Sequence, residues 1–348
     1  MTSVDLPSPE YRQTAIPSRE EVKFYQVGSF AVGNRLVDGQ YQSVQSGPNR
    51  FNSLTSGHRA CQGCGEALGA RYALDAAMAA TDNHVVAINA TGCLEVFSTP
   101  YPETSWNLPW MHSLFGNTAA VATGAAAGLK AMGKSDVRVV AQGGDGGTVD
   151  IGFGPLSGMF ERNDDVLYIC YDNEAYMNTG IQKSSLTPFG ASTTTTPAGK
   201  REHGCLTQKK SLFDIVAAHR IPYAATASVG YLNDFIKKVE RARDIKGTRF
   251  IHVMAPCPVG WGFPSADMVD VAREIVDAGL WYLAEYEGPA LTGTPGGAFR
   301  LNRDPKSFKP IEPYLRRQGR FSADDAADLA LIERARDERW SYMRETWG

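Results

Sequence analysis

Two strand patterns joined by one short helix pattern, all within residues 137–180, place the strongest constraint on how this chain folds. Val137–Ala141 and Val166–Tyr171 are runs of β-branched and aromatic residues typical of buried strands, and Phe153–Arg162 between them predicts a helix. Because a strand–helix–strand crossover in one sheet is right-handed, both strands end at the same edge of a parallel sheet. The segment therefore predicts a β-α-β unit whose strand ends can form one site.

Polar residues and glycines follow both predicted strands. Asp145 comes just after the first strand and Asn173 just after the second, 28 residues later, so we expect these two side chains to be neighbours. Their oxygen atoms suit Mg²⁺, a hard cation that usually shares its coordination with phosphate oxygens. A helix that begins after Asp145 would face an anion with its N-terminus, and glycines would let the backbone approach a diphosphate; these are Gly143, Gly144, Gly146 and Gly147. The pattern therefore predicts a metal-held diphosphate site rather than an ordinary glycine-rich turn.

Beyond this unit the sequence alternates strand patterns with helix patterns. Further strands are predicted at residues 84–90, 224–228, 249–255 and 281–287, and helices at 66–80, 117–133, 211–220, 232–244, 266–280 and 324–347. Ser211 and Asp214 would cap the third of these helices. Alternation without proline-rich linkers predicts an α/β fold with one doubly wound, mostly parallel sheet and helices on both faces. We expect the domain to span residues 57–290, with an N-terminal arm at 1–56 and a C-terminal tail and helix at 291–348.

Three segments carry no clear helix or strand period. Residues 1–56 are polar and interrupted by prolines, and they predict either a loosely ordered tail or an arm packed on a partner subunit. Residues 99–116 are aromatic and proline-rich and predict a loop buried against the cofactor or another chain, in which His112 is interpreted as a structural or cofactor-adjacent residue rather than a proton carrier. Residues 181–200 contain four consecutive threonines and predict a surface loop, or a segment that wraps over the cofactor site.

Composition and charge exclude several classes of protein. The chain has 348 residues, of which 43% are hydrophobic and 21% charged, as is typical of a globular protein with an ample core. A net charge of −3 gives no indication of binding to nucleic acid or to an anionic membrane surface. Without an apolar run of membrane-spanning length or a signal-peptide pattern, we expect the protein to be cytoplasmic. Its six cysteines are then free, metal-bound or catalytic, because they do not suit a disulfide scaffold.

Cys61 and Cys64 form a CxxC motif directly before the helix predicted at residues 66–80. Such a motif has three interpretations, namely a redox dithiol, half of a zinc site, or half of an iron–sulfur site. The fold pattern argues against a thioredoxin-like dithiol, and no second CxxC motif is present to complete a zinc site. A [4Fe–4S] cluster needs four thiolates, which a CxxC motif and two distant single cysteines can supply. The interpretations of the cysteines as a zinc site or as free thiols stay open at this point.

Four other cysteines could supply the two remaining ligands. Cys93 follows a predicted strand in a Thr-Gly loop, and Cys257 lies in a stiff loop between two prolines after another predicted strand. Cys170 lies inside the second strand of the β-α-β unit, where a cysteine is usually a small buried hydrophobe. Cys205 lies in a polar loop and is the runner-up for the fourth ligand.

Taken together, these motifs resemble a known family. The stretches ACQGCGE, NATGCLEVFS, GDGGTVDIG and DNEAYMNTG are similar to those of the thiamine-diphosphate-binding β subunit of the 2-oxoacid:ferredoxin oxidoreductases, in particular pyruvate:ferredoxin oxidoreductase. The resemblance covers residues 55–325 and implies three cofactors, namely thiamine diphosphate, Mg²⁺ and a [4Fe–4S] cluster. Relatives carry their last cluster ligand in a similar CP-x-GW loop, which selects Cys257. The implied cluster ligands are Cys61, Cys64, Cys93 and Cys257.

The resemblance also implies roles for residues around the diphosphate site. Mg²⁺ would be held by the side chains of Asp145 and Asn173 and by the backbone carbonyl of Ala175. Asn178 would face the reacting carbon and the 2-oxoacid, and together with Glu66 it is a predicted catalytic residue. The diphosphate and the thiamine would be contacted by a further set of residues: Glu66, Cys93, Gly144, Gly146, Gly147 and Tyr176.

The implied reaction is oxidative decarboxylation of pyruvate with coenzyme A to acetyl-CoA and CO₂, with electrons passing through the cluster to ferredoxin. In this family the glutamate that activates thiamine comes from an α subunit, so we expect an obligate α partner, together with γ and ferredoxin-like δ subunits or domains. Neither nucleic acid nor a membrane is expected as a partner. Three alternatives stay open: a non-oxidative thiamine-diphosphate decarboxylase or synthase, a zinc-stabilised scaffold subunit, and the same redox chemistry on another 2-oxoacid.

Overall fold

The computed structural model describes residues 26–27, 30–31, 52–100, 104–198, 204–321 and 326–347. Residues 1–51 form one unit and residues 52–348 another. In the first unit the described residues are two short strands, β1 (Gln26–Val27) and β2 (Phe30–Ala31), which pair antiparallel. Most of the predicted N-terminal arm at 1–56 lies outside the described residues, and the choice between a tail and a partner-contacting arm stays a prediction.

In the second unit, eight of the described strands form one sheet. Their order across the sheet is β10-β9-β7-β8-β6-β5-β3-β4. All neighbours from β7 to β4 are parallel, whereas β9 pairs antiparallel with β7 and β10 antiparallel with β9. The predicted doubly wound, mostly parallel α/β fold is confirmed. The strands are β3 (Val85–Ala90), β4 (Trp110–Ser113), β5 (Arg138–Gly144), β6 (Val166–Asp172), β7 (Tyr223–Ser228), β8 (Arg249–Met254), β9 (Ala284–Glu287) and β10 (Ala298–Leu301).

Helices connect the strands and cover the sheet. In the order of the described chain they are α1 (Gly65–Ala80), α2 (Cys93–Ser98), α3 (Thr118–Ala131), α4 (Asp145–Val149), α5 (Phe153–Glu161), α6 (Leu212–Ala218), α7 (Leu232–Asp244), α8 (Pro258–Trp261), α9 (Met268–Asp277), α10 (Pro289–Thr292), α11 (Ile311–Arg316) and α12 (Ala326–Trp347). Helix α1 packs with α7, and α3 packs with α5. A 3₁₀ turn at Ser265–Asp267 precedes α9.

The centre of the sheet is the core of this unit. Every residue of β6, β7 and β8 is buried, which explains why these strands are almost continuous apolar runs instead of alternating ones. Strand β5 lies between β6 and β3 and pairs with β6 from Val139 to Gly144. The two strands that carry the predicted diphosphate motif are therefore direct neighbours in the interior of the sheet.

The predicted elements differ from the structure mainly at their ends. Strand β5 continues to Gly144, three residues past the predicted end, because its backbone stays paired with β6. The predicted loop at 99–116 contains strand β4. Its pairing with β3 is a tertiary interaction, and no local periodicity in the sequence indicates it. Ser211 does occupy the N-cap position of α6, but its hydroxyl donates to the Asp214 carboxylate and accepts no backbone N–H.

The chain after residue 290 contributes to this same unit. Strand β10 extends the sheet, and the indole of Trp347 at the end of α12 stacks on Phe299 of that strand with ring centroids 4.5 Å apart. Trp340 and Met343 of α12 are buried. The sheet therefore continues beyond the residue at which the sequence predicts a tail. No helix in the described part of the chain is long and apolar enough to cross a membrane.

Candidate active site at the carboxyl edge of the sheet

Most of the predicted site residues follow the carboxyl ends of β3, β5, β6 and β8, whereas Cys61, Cys64 and Glu66 lie before β3, in or next to the start of α1. Asp145 begins α4 directly after β5, and Asn173 directly follows β6. Gly144 at the end of β5 pairs in register with Tyr171 near the end of β6, so the two motifs leave the sheet side by side. The expectation that Asp145 and Asn173 lie together is confirmed by an Asn173 amide atom 3.1 Å from Asp145 Oδ1.

Three of the predicted metal ligands meet at one point. The same Asn173 amide atom that faces Asp145 lies 2.8 Å from the carbonyl oxygen of Ala175. When Nδ2 of this amide donates to Glu66 Oε2 at 3.4 Å, the amide oxygen faces both Asp145 and Ala175. The opposite orientation of the amide would let the nitrogen donate to both oxygens instead. In the first orientation three oxygen atoms face one another and could bind a cation. In the second, the amide nitrogen hydrogen bonds to the other two oxygens.

Asp145 is buried in surroundings that oppose its negative charge. Burial, and then the neighbouring carboxylate of Asp172, raise the pKa of Asp145 well above its ordinary value. The Ser184 hydroxyl donates to Asp145 Oδ2 at 2.5 Å and favours the ionised form. Ser184 belongs to the predicted loop at 181–200, which packs over this site through buried Ser184, Leu186 and Thr187. Of the two interpretations of that loop, the one in which it covers the site is supported.

The glycines of the motif allow a close approach of the Tyr176 ring. A Cβ atom on Gly146 would lie 2.5 Å from the Tyr176 ring, so this position has no room for a side chain. The Tyr176 hydroxyl donates to Asp150 Oδ2 at 3.1 Å, just beyond the end of α4. Gly146 and Gly147 are buried in α4, whereas a Cβ on Gly144 would meet nothing within 4 Å. The backbone around Gly144 is therefore the open part of the motif.

A cavity of about 200 Å³ brings the predicted cysteines and catalytic residues together. Its lining includes all four predicted cluster ligands and three polar residues of the predicted site: Cys61, Cys64, Cys93, Cys257, Glu66, Asn173 and Asn178. Cys170 is buried inside β6, as expected for a small hydrophobe. Cys205, the runner-up ligand, is buried in a different place, with its thiol 3.5 Å from the carbonyl of Thr207. Neither of these two cysteines lines the cavity.

The starts of two helices and the close contact at Gly63 position the thiols. Cys64 precedes α1 and accepts the Ala67 N–H at 3.4 Å, and Cys257 precedes α8 and accepts the Gly260 N–H at 3.3 Å. The CxxC loop lies directly on the segment after β8, because a Cβ on Gly63 would be 2.3 Å from the Ser265 carbonyl oxygen. Gly63 also has a φ of 70°, which favours glycine.

Three of the thiols, those of Cys64, Cys93 and Cys257, share a poorly solvated environment with Glu66, whereas Cys61 is exposed. Burial, and then the Glu66 carboxyl, raise the pKa of Cys64 to about 12 and raise the pKa of Cys93 as well. Burial is also the main cause of the raised pKa of Cys257. Asn178, which is exposed at its outer side, hydrogen bonds to Cys93. Thiols in such surroundings become thiolates only when a cation compensates them.

Glu66 lies between the cysteine cavity and the oxygen cluster. It is 3% exposed, and burial raises its pKa to about 7, although hydrogen bonds to Asn173 and to the backbone of Leu94 oppose this. Among the residues that the structure describes, no three His, Cys, Asp or Glu side chains lie close enough together to bind one metal ion. In a [4Fe–4S] cluster each cysteine binds a different iron, so its ligands surround a cavity instead of meeting at one point.

Several residues of the site carry no signal in the sequence. Ser184 bonds to Asp145, and Trp261 donates its indole N–H to the Asn173 carbonyl at 2.8 Å. Lys209 and Arg320 form ion pairs with the buried side chain of Glu174, next to Asn173 in the chain. They come from distant segments, so only the folded chain reveals them. His112 is exposed on β4, with Nε2 2.7 Å from the Thr91 hydroxyl, and does not line the cysteine cavity.

Comparison with known proteins adds independent information. Residues 90–253 match the family described as thiamine pyrophosphate enzyme, C-terminal TPP binding domain. Pyruvate synthase subunit PorB of Methanosarcina barkeri is 52% identical over 77% of this chain and 87% of its own length. Ketoisovalerate oxidoreductase subunit VorB of Pyrococcus horikoshii is 45% identical over 83% of this chain and 92% of its own length.

The chain belongs to the PorB/VorB family of 2-oxoacid oxidoreductase β subunits. The PorB subunit of Methanothermobacter marburgensis is 50% identical over 77% of this chain and 89% of that protein. A solved 2-oxoglutarate:ferredoxin oxidoreductase from Magnetococcus marinus aligns with a TM-score of 0.49 and 26% identity, over 60% of this chain and 67% of that one.

Membership in the PorB/VorB family confirms the thiamine-diphosphate-binding fold that the motifs predict. The matched thiamine pyrophosphate domain contains Asp145, Asn173 and Cys93. It does not reach Cys61, Cys64 or Cys257, which lie before and after it. The comparison therefore supports the diphosphate site directly, whereas the grouping of the four cysteines rests on the cavity that they line.

Proposed function

We propose that this chain is the thiamine-diphosphate- and cluster-carrying β subunit of a pyruvate:ferredoxin oxidoreductase. The observation that carries the proposal is the single cavity lined by four cysteines together with Glu66, Asn173 and Asn178. Asn173 also belongs to the oxygen cluster with Asp145 and Ala175, so one amide joins the cysteine cavity to the diphosphate site. A redox centre adjacent to a thiamine site is the arrangement that oxidative decarboxylation requires.

The oxygen cluster fits Mg²⁺. Ligands of an octahedral Mg²⁺ at its usual bond length lie about 2.9 Å apart. The Asn173 amide atom is 3.1 Å from Asp145 Oδ1 and 2.8 Å from the Ala175 carbonyl oxygen, which matches that spacing. A cation at this point would also stabilise the ionised form of buried Asp145. The open backbone at Gly144 leaves room for phosphate oxygens to complete the coordination.

The cysteine cavity fits a [4Fe–4S] cluster better than the alternatives. Four thiols surround about 200 Å³ of space, and backbone N–H groups donate to the sulfurs of Cys64 and Cys257. Such N–H···S bonds tune the potential of cluster sulfurs and stabilise thiolate ligands. A Cys₄ zinc site needs its thiols to converge on one ion, and in the described part of the chain no three His, Cys, Asp or Glu side chains do so. A non-oxidative thiamine enzyme has no need of four thiols beside its cofactor site.

When bound, thiamine diphosphate supplies the electron sink for decarboxylation of a 2-oxoacid, and the cluster accepts electrons one at a time. The residues of this chain would then bind the cofactors and orient the substrate. Asp145, Asn173 and the Ala175 carbonyl would hold the cation and through it the diphosphate. Glu66, whose pKa is about 7, can hold or release a proton on its carboxyl near neutral pH. Asn178, at the mouth of the cavity, would orient the substrate beside Cys93.

The proposal includes partners. The glutamate that activates thiamine is expected on an α subunit, with γ and ferredoxin-like δ subunits completing the complex and ferredoxin accepting the electrons in the cytoplasm. The full chain without its partners should therefore bind thiamine diphosphate weakly and turn over little. High ferredoxin reduction by the isolated chain would contradict this part of the proposal.

The test begins with anaerobic purification of the complex and measurement of iron and acid-labile sulfide. We expect about four of each for the cluster of this chain, beyond those of the other subunits. Reduction of ferredoxin is then followed with pyruvate and coenzyme A, in parallel with ketoisovalerate and 2-oxoglutarate. Pyruvate should give the highest kcat/KM. Zinc in place of iron, or decarboxylation without ferredoxin reduction, would refute the oxidoreductase proposal.

Ketoisovalerate is the second candidate substrate. The VorB relative named above is 45% identical over 83% of this chain, against 52% over 77% for the PorB relative, so the difference between them is small. A higher kcat/KM with ketoisovalerate than with pyruvate would favour this candidate and leave the rest of the proposal intact.

A further inference from the structure

Glu174, between the two proposed metal ligands Asn173 and Ala175, has an unusual backbone conformation. Its φ is 66°, in the left-handed region that residues with a side chain rarely adopt. Its backbone N–H donates to Asp172 Oδ1 at 3.0 Å, which closes a tight turn around Asn173. This turn lets the Asn173 side chain and the Ala175 carbonyl point to the same side, toward Asp145. The surrounding structure must hold the chain in this state, because it is not intrinsically favoured.

Two cations, the buried Arg320 and the partly exposed Lys209, hold the Glu174 side chain. Its carboxylate accepts from Lys209 Nζ at 2.6 Å and from Arg320 at 2.5 Å, and Glu174 and Arg320 are 2% and 6% exposed. Lys209 also pairs with Asp172 Oδ2 at 3.0 Å, on the other side of Asn173. Both acidic neighbours of Asn173 are thereby fixed and neutralised. Asp145 is left as the carboxylate that faces the proposed cation.

Arg320 also connects this turn to the loop that carries Cys257. Its guanidinium group lies 3.7 Å from the centroid of the Trp261 ring, which is a stacking distance. Trp261 ends α8, which begins directly after Cys257, and its indole N–H donates to the Asn173 carbonyl at 2.8 Å. The oxygen-ligand turn and the cysteine loop are therefore held by one set of side chains.

We propose that Glu174, Lys209, Arg320 and Trp261 form a clamp of positioning residues that sets the geometry of the Asn173–Ala175 turn and its distance from the Cys257 loop. None of the four is proposed to touch substrate. The inference rests on the proposed function, since it concerns the cation that this turn would hold. Outer contacts of this kind commonly change metal affinity by about 10–100-fold.

The clamp is tested by metal affinity and not by turnover. The complex with the full chain is purified, depleted of divalent cation, and titrated with Mn²⁺ in the presence of thiamine diphosphate, with bound Mn²⁺ followed by electron paramagnetic resonance. Glu174→Gln keeps the shape and removes the charge. Glu174→Gly removes the side chain but accepts a φ of 66° without strain. Trp261→Phe keeps an aromatic ring beside Arg320, although a smaller one, and removes the indole N–H that donates to Asn173.

We expect Glu174→Gln, Glu174→Gly and Arg320→Gln to weaken Mn²⁺ binding at least about tenfold, and Trp261→Phe to weaken it several-fold. Retained iron content shows that each variant is folded. Lys238→Gln is the matched control, because Lys238 is 2% exposed and paired with Asp234 at 2.6 Å, outside the residues of this clamp. It should leave the Mn²⁺ affinity unchanged.

The outcomes separate the inference from the function it rests on. If the wild type binds Mn²⁺ with thiamine diphosphate and the folded clamp variants bind it within about twofold, the clamp is overturned and the proposed function stands. The clamp is also overturned if Lys238→Gln weakens binding as much as they do. If the wild type itself does not bind Mn²⁺, the proposed metal site fails, and the clamp fails with it.

Discussion

The backbone N–H of Gly65 donates to the carbonyl oxygen of Pro256 at 3.2 Å, which joins the CxxC loop to the loop that carries Cys257. A Cβ at position 65 would lie 2.6 Å from that same oxygen, closer than atoms of a folded protein tolerate. The two loops are 191 residues apart in the chain, since 256 minus 65 is 191. Their contact is therefore purely tertiary, and it brings Cys64 and Cys257 to one cavity.

Gly65→Ala should separate these loops and impair cluster binding. The added methyl group must push the Pro256 carbonyl away, at a cost of about 1–3 kcal/mol in the free energy of unfolding. We expect a reduced iron content for the purified complex, measured per chain. Gly124→Ala is the control, because a Cβ at that exposed helical position meets nothing within 4 Å. It should keep its iron and gain up to about 1 kcal/mol.

Cys257→Ala should lower the iron content, whereas Cys205→Ala should not. Cys257 lines the cavity with three other thiols, and its loss removes one of the four cluster ligands. Cys205 is equally a cysteine but is buried away from that cavity. The measurement is iron and sulfide per chain after anaerobic purification, together with the visible absorption of the cluster. Equal iron loss in both variants would contradict the ligand assignment.

Glu66→Gln should change how the stability of the cofactor-free chain depends on pH. Burial raises the pKa of Glu66 from 4.5 to about 7, so between these values the folded state keeps a proton that the unfolded state has released. The free energy of unfolding of the wild type therefore falls as the pH rises through this window, by up to about 3 kcal/mol. Denaturant titrations at pH 5 and pH 8 should show a smaller difference for Glu66→Gln. An unchanged difference would show that Glu66 ionises normally.

Asp145→Asn should weaken metal-dependent binding of thiamine diphosphate without lowering the stability of the cofactor-free protein. The neutral amide is a poorer Mg²⁺ ligand, but it removes a buried carboxyl whose ionisation is opposed by burial and by Asp172. We expect at least about tenfold weaker cofactor binding, measured by quenching of tryptophan fluorescence, with an unchanged or higher Tm. Asp214→Asn, which removes a partner of Arg339 outside this site, should leave cofactor binding unchanged.

Much of the fold follows from local patterns that the sequence displays. The strands at Val166–Asp172 and Arg249–Met254 are recognisable because a strand buried on both faces is a nearly continuous run of apolar residues. Helix Leu232–Asp244 has the predicted bounds. Strand Trp110–Ser113 was not predictable, because its aromatic and proline-rich segment shows no strand periodicity. It forms a strand only through its pairing with Val85–Ala90.

The site, like the fold, was predictable from local sequence patterns only in part. Asp145 and Asn173 were predictable as neighbours because right-handed crossovers bring parallel strand ends to one edge. From its residues alone, the sequence left Cys205 as the runner-up to Cys257, because both cysteines lie in loops far along the chain from the CxxC motif. Packing decides between them, since only Cys257 faces the cavity.

By itself the sequence determined the alternation of strands and helices, the mostly parallel sheet and the chemical types at its carboxyl edge, because periodicity and strand-end rules act over short distances along the chain. Only the tertiary structure decided which distant side chains support that edge. Ser184 on Asp145, and Lys209 and Arg320 on Glu174, are hydrogen bonds and ion pairs between separate segments. Such contacts depend on where the whole chain places each segment, and no local pattern encodes them.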